Sequence, residues 1–89
     1  MTDPIVNESR QQITALDLEL VALVNRRLEI VRRLHDHKVA SGIPLRDLGR
    51  EDAMLALLGR ENAGPLSEEG LAAFYKAVLD LTRRELHGG

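Results

Sequence analysis

Hydrophobic residues recur at intervals of three and four along the first forty residues, which is the spacing of one face of an α-helix. These positions are Ile13, Leu16, Leu20, Leu23, Val24, Val31 and Leu34. Asp3 followed by Pro4 is a typical helix start, and Ser41-Gly42-Ile43-Pro44 is a typical helix end. The pattern predicts one helix from about Pro4 to Ala40.

Two shorter helices are predicted in the rest of the chain. The second begins at Asp47 or Gly49 and runs to about Arg60, and the third begins at Ser67 and runs to about Leu86. Both are bounded by residues that favour helix starts or breaks. No alternating apolar pattern predicts a strand, so the fold class we expect is all-α, a three-helix chain with a very long first helix.

The length of the first helix predicts a homodimer. At ~1.5 Å per residue, the helix is about 55 Å long, whereas a compact chain of this size has a radius of gyration of only ~12 Å. One end of the helix would extend beyond its own domain and expose its apolar face, which soluble monomers avoid. A second copy is the simplest cover, so we expect an intertwined helical homodimer.

Ionisable residues interrupt the apolar faces of all three predicted helices. Arg27 and Lys38 lie on the apolar face of the first helix, about three turns apart. Asp47 and Glu51 take inward positions at the start of the second helix. Glu85 continues the spacing of the third-helix positions Leu71, Phe74, Val78 and Leu81. Taken alone, Asp47 fits a helix cap and Glu85 a solvated residue near a helix end. Together, the five residues indicate a polar cavity between helices.

The chemistry of this cavity favours an anionic small molecule. Arginine recognises carboxylates through two parallel hydrogen bonds, and lysine supplies a compact point charge. The sequence contains no cysteine, and no spacing indicates a metal site or a nucleophile with its base. Any chemistry would therefore need only binding, orientation and electrostatics.

Composition argues against other classes of protein. The 89 residues include 12 basic and 14 acidic ones, for a formal net charge of −2, which disfavours a nucleic-acid binder. The N-terminus lacks the features of a secretory signal, and no stretch approaches the ~20 apolar residues of a membrane span. We expect a soluble cytoplasmic protein without membrane contact.

Several segments of the chain form a recognisable set. They are the run from Ile13-Thr14-Ala15-Leu16-Asp17 to Asn25-Arg26-Arg27, then Lys38, then Pro44-Leu45-Arg46-Asp47-Leu48-Gly49-Arg50-Glu51. Together these segments resemble the all-α chorismate mutases. The spacing Arg–(16 residues)–Arg–(10 residues)–Lys, followed by Asp-x-x-Arg-Glu, is specific for that family, and the match covers nearly the whole chain. The resemblance implies an intertwined dimer that converts chorismate to prephenate in aromatic amino-acid biosynthesis, without cofactor or metal. Residues 1–89 would form a single domain of this kind.

The resemblance also implies how a substrate would be bound. Arg10 would reach into the partner's site and bind one substrate carboxylate, while Arg27 would bind the other. Asp47 and Glu51 would hold the ring hydroxyl, with Arg50 supporting them. Arg10 is seventeen residues from Arg27, about 100° around the helix, so it does not share the Arg27 face.

The catalytic groups implied by the resemblance act on the ether oxygen of the breaking bond. Lys38 would contact this oxygen, and Glu85 matches a position usually filled by a glutamine that also donates to it. Leu81 matches a substrate-binding position that often holds serine, so a hydrogen bond is missing there unless Thr82 supplies it. An ionised Glu85 has no proton to donate, so the site would have one hydrogen-bond donor fewer than a site with glutamine at this position.

Two other functions remain open from the sequence. The chain could be a sibling enzyme on the same scaffold, either an isochorismate-pyruvate lyase or an aminodeoxychorismate mutase. It could also be a non-catalytic helical dimerisation or regulatory module, in which case no dicarboxylate would raise its melting temperature.

Overall fold

The computed structural model describes residues 3–86, and three α-helices make up most of that segment. They are α1 (Pro4–Ser41), α2 (Leu48–Glu61) and α3 (Glu68–Leu86). No strand occurs within the described residues. The predicted all-α fold with a very long first helix is confirmed, and each helix ends within one or two residues of its predicted boundary.

Both ends of α1 are capped by the residues that the sequence indicates. Asp3 Oδ1 accepts hydrogen bonds from the backbone N–H groups of Ile5 at 2.8 Å and Val6 at 3.3 Å. These bonds satisfy two of the donors that a helix start leaves unpaired. At the other end, Gly42 adopts the left-handed conformation with φ 68°, which glycine reaches without steric cost.

The starts of α2 and α3 use the same type of cap. Asp47 Oδ1 accepts from the backbone N–H of Arg50 at 3.0 Å, so Asp47 rather than Gly49 caps α2. Ser67 Oγ accepts from the backbone N–H of Gly70 at 3.0 Å. These local hydrogen bonds explain why the sequence predicted both starts well.

The third helix connects the other two. It packs against α1 and against α2, and within the described residues the backbones of α1 and α2 do not approach each other closely. Its Leu71 and Thr82 are the two buried side chains of the described segment, with 8% and 9% of their surface exposed. The position of α1 relative to α2 therefore depends on α3.

The inward face of α3 differs from the predicted one. Phe74 is 52% exposed and Glu85 is also exposed within the single chain. The predicted face and the observed face share Leu71 and Val78 but differ in their other residues. The residues on the inward side are Leu71, Tyr75, Val78, Leu79, Thr82 and Leu86. Hydrophobicity alone could not distinguish the patterns, because the structure's version includes the amphipathic Tyr75 and the polar Thr82.

The N-terminal half of α1 extends away from the other helices. The molecule measures 61 Å along its longest axis, and its radius of gyration is 17.0 Å, against ~12 Å for a compact chain of this length. Half or more of the surface of Ile13, Leu16, Leu20 and Leu23, which lie along this part of the helix, is exposed in the single chain. None of the described helices combines the length and apolar character needed to cross a membrane.

Candidate active site

Arg27 of α1 is anchored by a hydroxyl group of α3. Its Nη1 donates a hydrogen bond to Thr82 Oγ1 at 2.6 Å. The Thr82 hydroxyl in turn donates to the backbone carbonyl of Val78 at 2.7 Å. Because a hydroxyl has a single proton, this second bond leaves its oxygen to accept from Arg27. The guanidinium is thus oriented by a neutral partner.

The charge of Arg27 has no counter-ion among the residues that the structure describes. The residue is half-buried, and no ion pair joins it to a carboxylate within residues 3–86. A partly buried cation that is hydrogen-bonded to a neutral hydroxyl retains most of its capacity to attract an anion. The geometry therefore leaves Arg27 available for a carboxylate from outside the chain.

Lys38 lies on the same side of α1, three turns further along. It too is half-buried, and its ammonium group has no hydrogen-bond or ion-pair partner in the described part of the chain. Its backbone carbonyl accepts from the N–H of Ile43 at 2.9 Å, which ties the residue to the end of α1. Arg27 and Lys38 are thus two cations on one face of α1 that no carboxylate within residues 3–86 compensates.

The carboxylate of Glu51, at the start of α2, accepts hydrogen bonds from two arginines. Arg83 Nη2 of α3 donates to its Oε1 at 2.5 Å, and Arg46 Nε donates to its Oε2 at 3.3 Å. The Glu51 side chain is only 19% exposed. Arg83 also donates through Nη1 to Asp80 Oδ1 at 3.1 Å. Sequence reasoning missed Arg83, because a contact between residues 32 positions apart leaves no periodic signal.

Asp47 and Arg50 lie beside Glu51 but are both exposed. One carboxylate oxygen of Asp47 serves as the helix cap described above, which is the simpler of the two roles considered for it. The guanidinium of Arg50 makes no hydrogen bond or ion pair within residues 3–86. Their predicted contacts with a substrate hydroxyl remain predictions.

Glu85 and Leu81 flank the inward face of α3 rather than lying on it. Glu85 is exposed and lines an open cleft between α3 and α1, together with Leu86. The α1 side of this cleft is formed by Asn25, Leu28, Glu29 and Arg32. Leu81 is half-buried. The hydroxyl that faces Arg27 belongs to Thr82, the substitute considered for the missing serine.

Arg10 is far from the other predicted site residues of its own chain. Seventeen residues separate it from Arg27, about 25 Å along a helix at ~1.5 Å per residue. It is exposed and lines a shallow surface pocket with Asn7, Gln11 and Thr14. Within one chain, Arg10 cannot bind the same small molecule as Arg27.

The predicted site residues differ in whether their charges are compensated within the described chain. Arg10, Arg27, Lys38 and Arg50 form no ion pair within residues 3–86, whereas Glu51 is paired twice. Among the described residues, no group of three or more histidine or carboxylate side chains could hold a metal ion. The arrangement can bind and orient carboxylates and place a cation next to a developing negative charge.

Fold and site together define an all-α chain in which Arg27, a cation without an ion pair among residues 3–86, is hydrogen-bonded to the third helix. Residues 9–86 match the family model of chorismate mutase type II, so the chain belongs to this family. A solved structure of chorismate mutase (form II) from Thermus thermophilus is 26% identical, with a TM-score of 0.84, over 86% of this chain and 88% of that one. Form I of the same enzyme is 26% identical, with a TM-score of 0.83, over 86% and 96% of the respective chains. No curated protein matches the sequence.

Proposed function

We propose that this member of the chorismate mutase type II family rearranges chorismate to prephenate in a site completed by a second copy of the chain. Membership of the family makes the chain an isomerase. The observation that carries the site assignment is the half-buried Arg27, which is oriented by the Thr82 hydroxyl but lacks a carboxylate partner among the described residues. Such a group supports recognition of a substrate carboxylate.

Each remaining residue of the predicted site has a role in this proposal. Arg27 binds one carboxylate of chorismate, and the partner's Arg10 binds the other. Asp47 and Glu51 flank the ring hydroxyl, which donates its one proton to one of the two carboxylates, and Arg50 contributes positive charge beside them. The exposed, unpaired state of Arg10 and Arg50 within residues 3–86 supports these assignments, because groups already neutralised within the chain would have little attraction for a substrate.

Catalysis requires no nucleophile, because the reaction is a unimolecular pericyclic rearrangement. Holding the substrate at both carboxylates selects the compact conformer in which the two reacting carbons meet. Negative charge then grows on the ether oxygen as its bond to carbon lengthens. Lys38, a half-buried cation, would stabilise that charge more in the transition state than in the ground state. Glu85 would donate to the same oxygen only in its protonated form, and Leu81 would border the substrate.

The exposed apolar face of α1 supports the proposal that the working unit is a homodimer of single-domain chains, each comprising residues 1–89. Ile13, Leu16, Leu20 and Leu23 are about half exposed in the single chain. A second α1 packed against them would remove this surface from water at ~25 cal/mol per Å² of apolar area. It would also bring the partner's Arg10 towards Arg27. The cytoplasmic location expected from the sequence stays a prediction.

Leu20→Asp is expected to convert the dimer to a monomer and abolish activity, because it places a charge in the proposed apolar interface. Leu18→Asp is the matched control, since Leu18 is 68% exposed and lies on the opposite side of α1. Light scattering after size-exclusion chromatography should give twice the 9.9 kDa chain mass for the wild type and the control. A wild-type monomer at micromolar concentration would contradict the dimer.

The function itself is tested by the loss of chorismate absorbance on adding purified protein. Isochorismate and aminodeoxychorismate serve as competing substrates in parallel assays. Conversion of chorismate to prephenate as the preferred reaction would support the proposal. Preference for either competitor would identify a sibling enzyme. If no substrate is converted and no dicarboxylate raises the melting temperature, the chain is a non-catalytic module.

Glu85→Gln is expected to raise turnover several-fold at neutral pH, because an amide can donate to the ether oxygen and an ionised carboxylate cannot. Leu86→Gln is the informative comparison, since Leu86 follows Thr82 by one turn on the inward side of α3. Initial rates of both variants should be measured at saturating chorismate. If only Leu86→Gln is faster, the donor position is residue 86 and the assignment of Glu85 is wrong.

A further inference from the structure

The carboxylate of Glu51 has its charge compensated before any substrate arrives. Arg83 and Arg46 each donate to a different one of its oxygens, at 2.5 Å and 3.3 Å. The side chain is 19% exposed, so solvent screens these interactions only in part. Glu51 therefore offers oxygen lone pairs as hydrogen-bond acceptors, with little net attraction for a further cation.

The Arg83 side chain is held in place from its own helix. Its second terminal nitrogen donates to Asp80 Oδ1 at 3.1 Å, three residues earlier on α3. The Asp80 side chain is 54% exposed, so solvent screens its charge more strongly than that of Glu51. Because it is held by two hydrogen bonds, the guanidinium has a defined position beside Glu51. Its electrostatic interaction with Glu51 is screened less than its interaction with Asp80.

Arg83 also lies next to Thr82, the residue that orients Arg27. Consecutive positions on a helix differ by about 100° in direction, which lets Thr82 reach α1 while Arg83 reaches α2. Since the backbones of α1 and α2 do not approach each other closely in the described chain, these two residues connect both sides of the site to α3. A change at Arg83 therefore acts on the Glu51 side of the site.

We propose that Arg83 determines substrate specificity by neutralising Glu51, so that the site accepts a neutral ring hydroxyl in preference to a ring ammonium. This inference rests on the proposed function, in which Glu51 contacts the ring substituent. An ammonium at that position would gain little from a carboxylate already shared by two arginines. It would also approach the Arg83 guanidinium, and such like-charge contacts exclude wrong partners.

Replacement of Arg83 is expected to leave the fold intact. The Arg83 side chain is 36% exposed, and Arg46 also pairs with Glu51, so the carboxylate keeps one partner when Arg83 is replaced. Arg83→Gln should therefore fold with a melting temperature close to that of the wild type. Its effect should appear in the choice between substrates.

The experiment compares kcat/KM for chorismate with kcat/KM for aminodeoxychorismate, whose ring carries an amine in place of the hydroxyl. We expect Arg83→Gln to lower the ratio of the two values about tenfold, since it exposes the Glu51 charge to the ammonium. Arg83→Lys should keep most of the wild-type ratio. Arg84→Gln, at the exposed neighbouring position, is the matched control and should leave the ratio unchanged.

A double variant shows whether Arg83 acts through Glu51. In a Glu51→Gln background the carboxylate is gone, so adding Arg83→Gln should not change the ratio further. The inference is overturned if Arg83→Gln reduces both values equally, or if it shifts the ratio no more than Arg84→Gln. Inactivity of the wild type on chorismate would instead contradict the proposed function, and the two failures are distinguishable.

Discussion

An Arg27→Ala variant is expected to fold and to lose most of its mutase activity. In the proposed site its guanidinium binds a substrate carboxylate, and truncating such a charged contact costs on the order of 2–5 kcal/mol. That loss corresponds to ~30-fold to several-thousand-fold in rate. Steady-state kinetics with chorismate measure the effect, and circular dichroism during heating checks the fold. The half-buried position of Arg27 predicts only a small drop in melting temperature.

Two further variants test whether the loss of activity is specific to the Arg27 guanidinium. Arg26→Ala removes the exposed neighbouring cation and should have nearly full activity. Thr82→Val removes the hydroxyl that orients Arg27 and should cost about tenfold, since the guanidinium remains but loses its anchor. Activity of Arg27→Ala within about threefold of the wild type, well short of the loss of a charged contact, would show that Arg27 is not the carboxylate ligand.

The helices could be predicted because their ends are determined locally. Asp3 and Asp47 bond backbone N–H groups two or three residues away, and Gly42 supplies the left-handed turn after α1. These interactions need no tertiary structure, so the residue types alone indicate them. The cations Arg27 and Lys38 could be identified for a related reason, since they occur where the helical period requires an apolar residue.

The inward face of α3 could not be predicted in the same way. The face contains Thr82, which is buried because its hydroxyl accepts a hydrogen bond from Arg27 of another helix and not because it is hydrophobic. The Arg83–Glu51 pair likewise joins two helices whose relative position exists only in the folded chain. A reader of the sequence sees Arg83 and Arg84 as two equivalent arginines. Only the fold distinguishes them.

The position of Arg10 requires information from outside the single chain. It lies on the part of α1 that extends beyond the other helices, about 25 Å from Arg27 at ~1.5 Å per residue. The resemblance to the all-α chorismate mutases predicted that it acts in the partner's site, and the distance is compatible with that role. A direct test needs dimers in which the two chains carry different substitutions.

Mixing Arg10→Ala chains with Lys38→Ala chains is expected to restore activity that neither variant has alone. In a mixed dimer, one site combines an intact Lys38 with an intact partner's Arg10, while the other site carries both lesions. Random assortment in a symmetric dimer makes half of the dimers mixed, so we expect about a quarter of wild-type activity. The two proteins should be unfolded, refolded together and assayed with chorismate.

The matched control for this experiment mixes Arg27→Ala with Lys38→Ala. Because both residues serve the site of their own chain, every site in those dimers keeps one lesion, and no activity should return. Differently tagged chains and sequential affinity purification would isolate the mixed dimers in both experiments. If purified Arg10→Ala/Lys38→Ala dimers are as inactive as the control, Arg10 does not act across the dimer. The second substrate carboxylate must then have another ligand, for which the exposed Arg50, unpaired within residues 3–86, would be the next residue to replace.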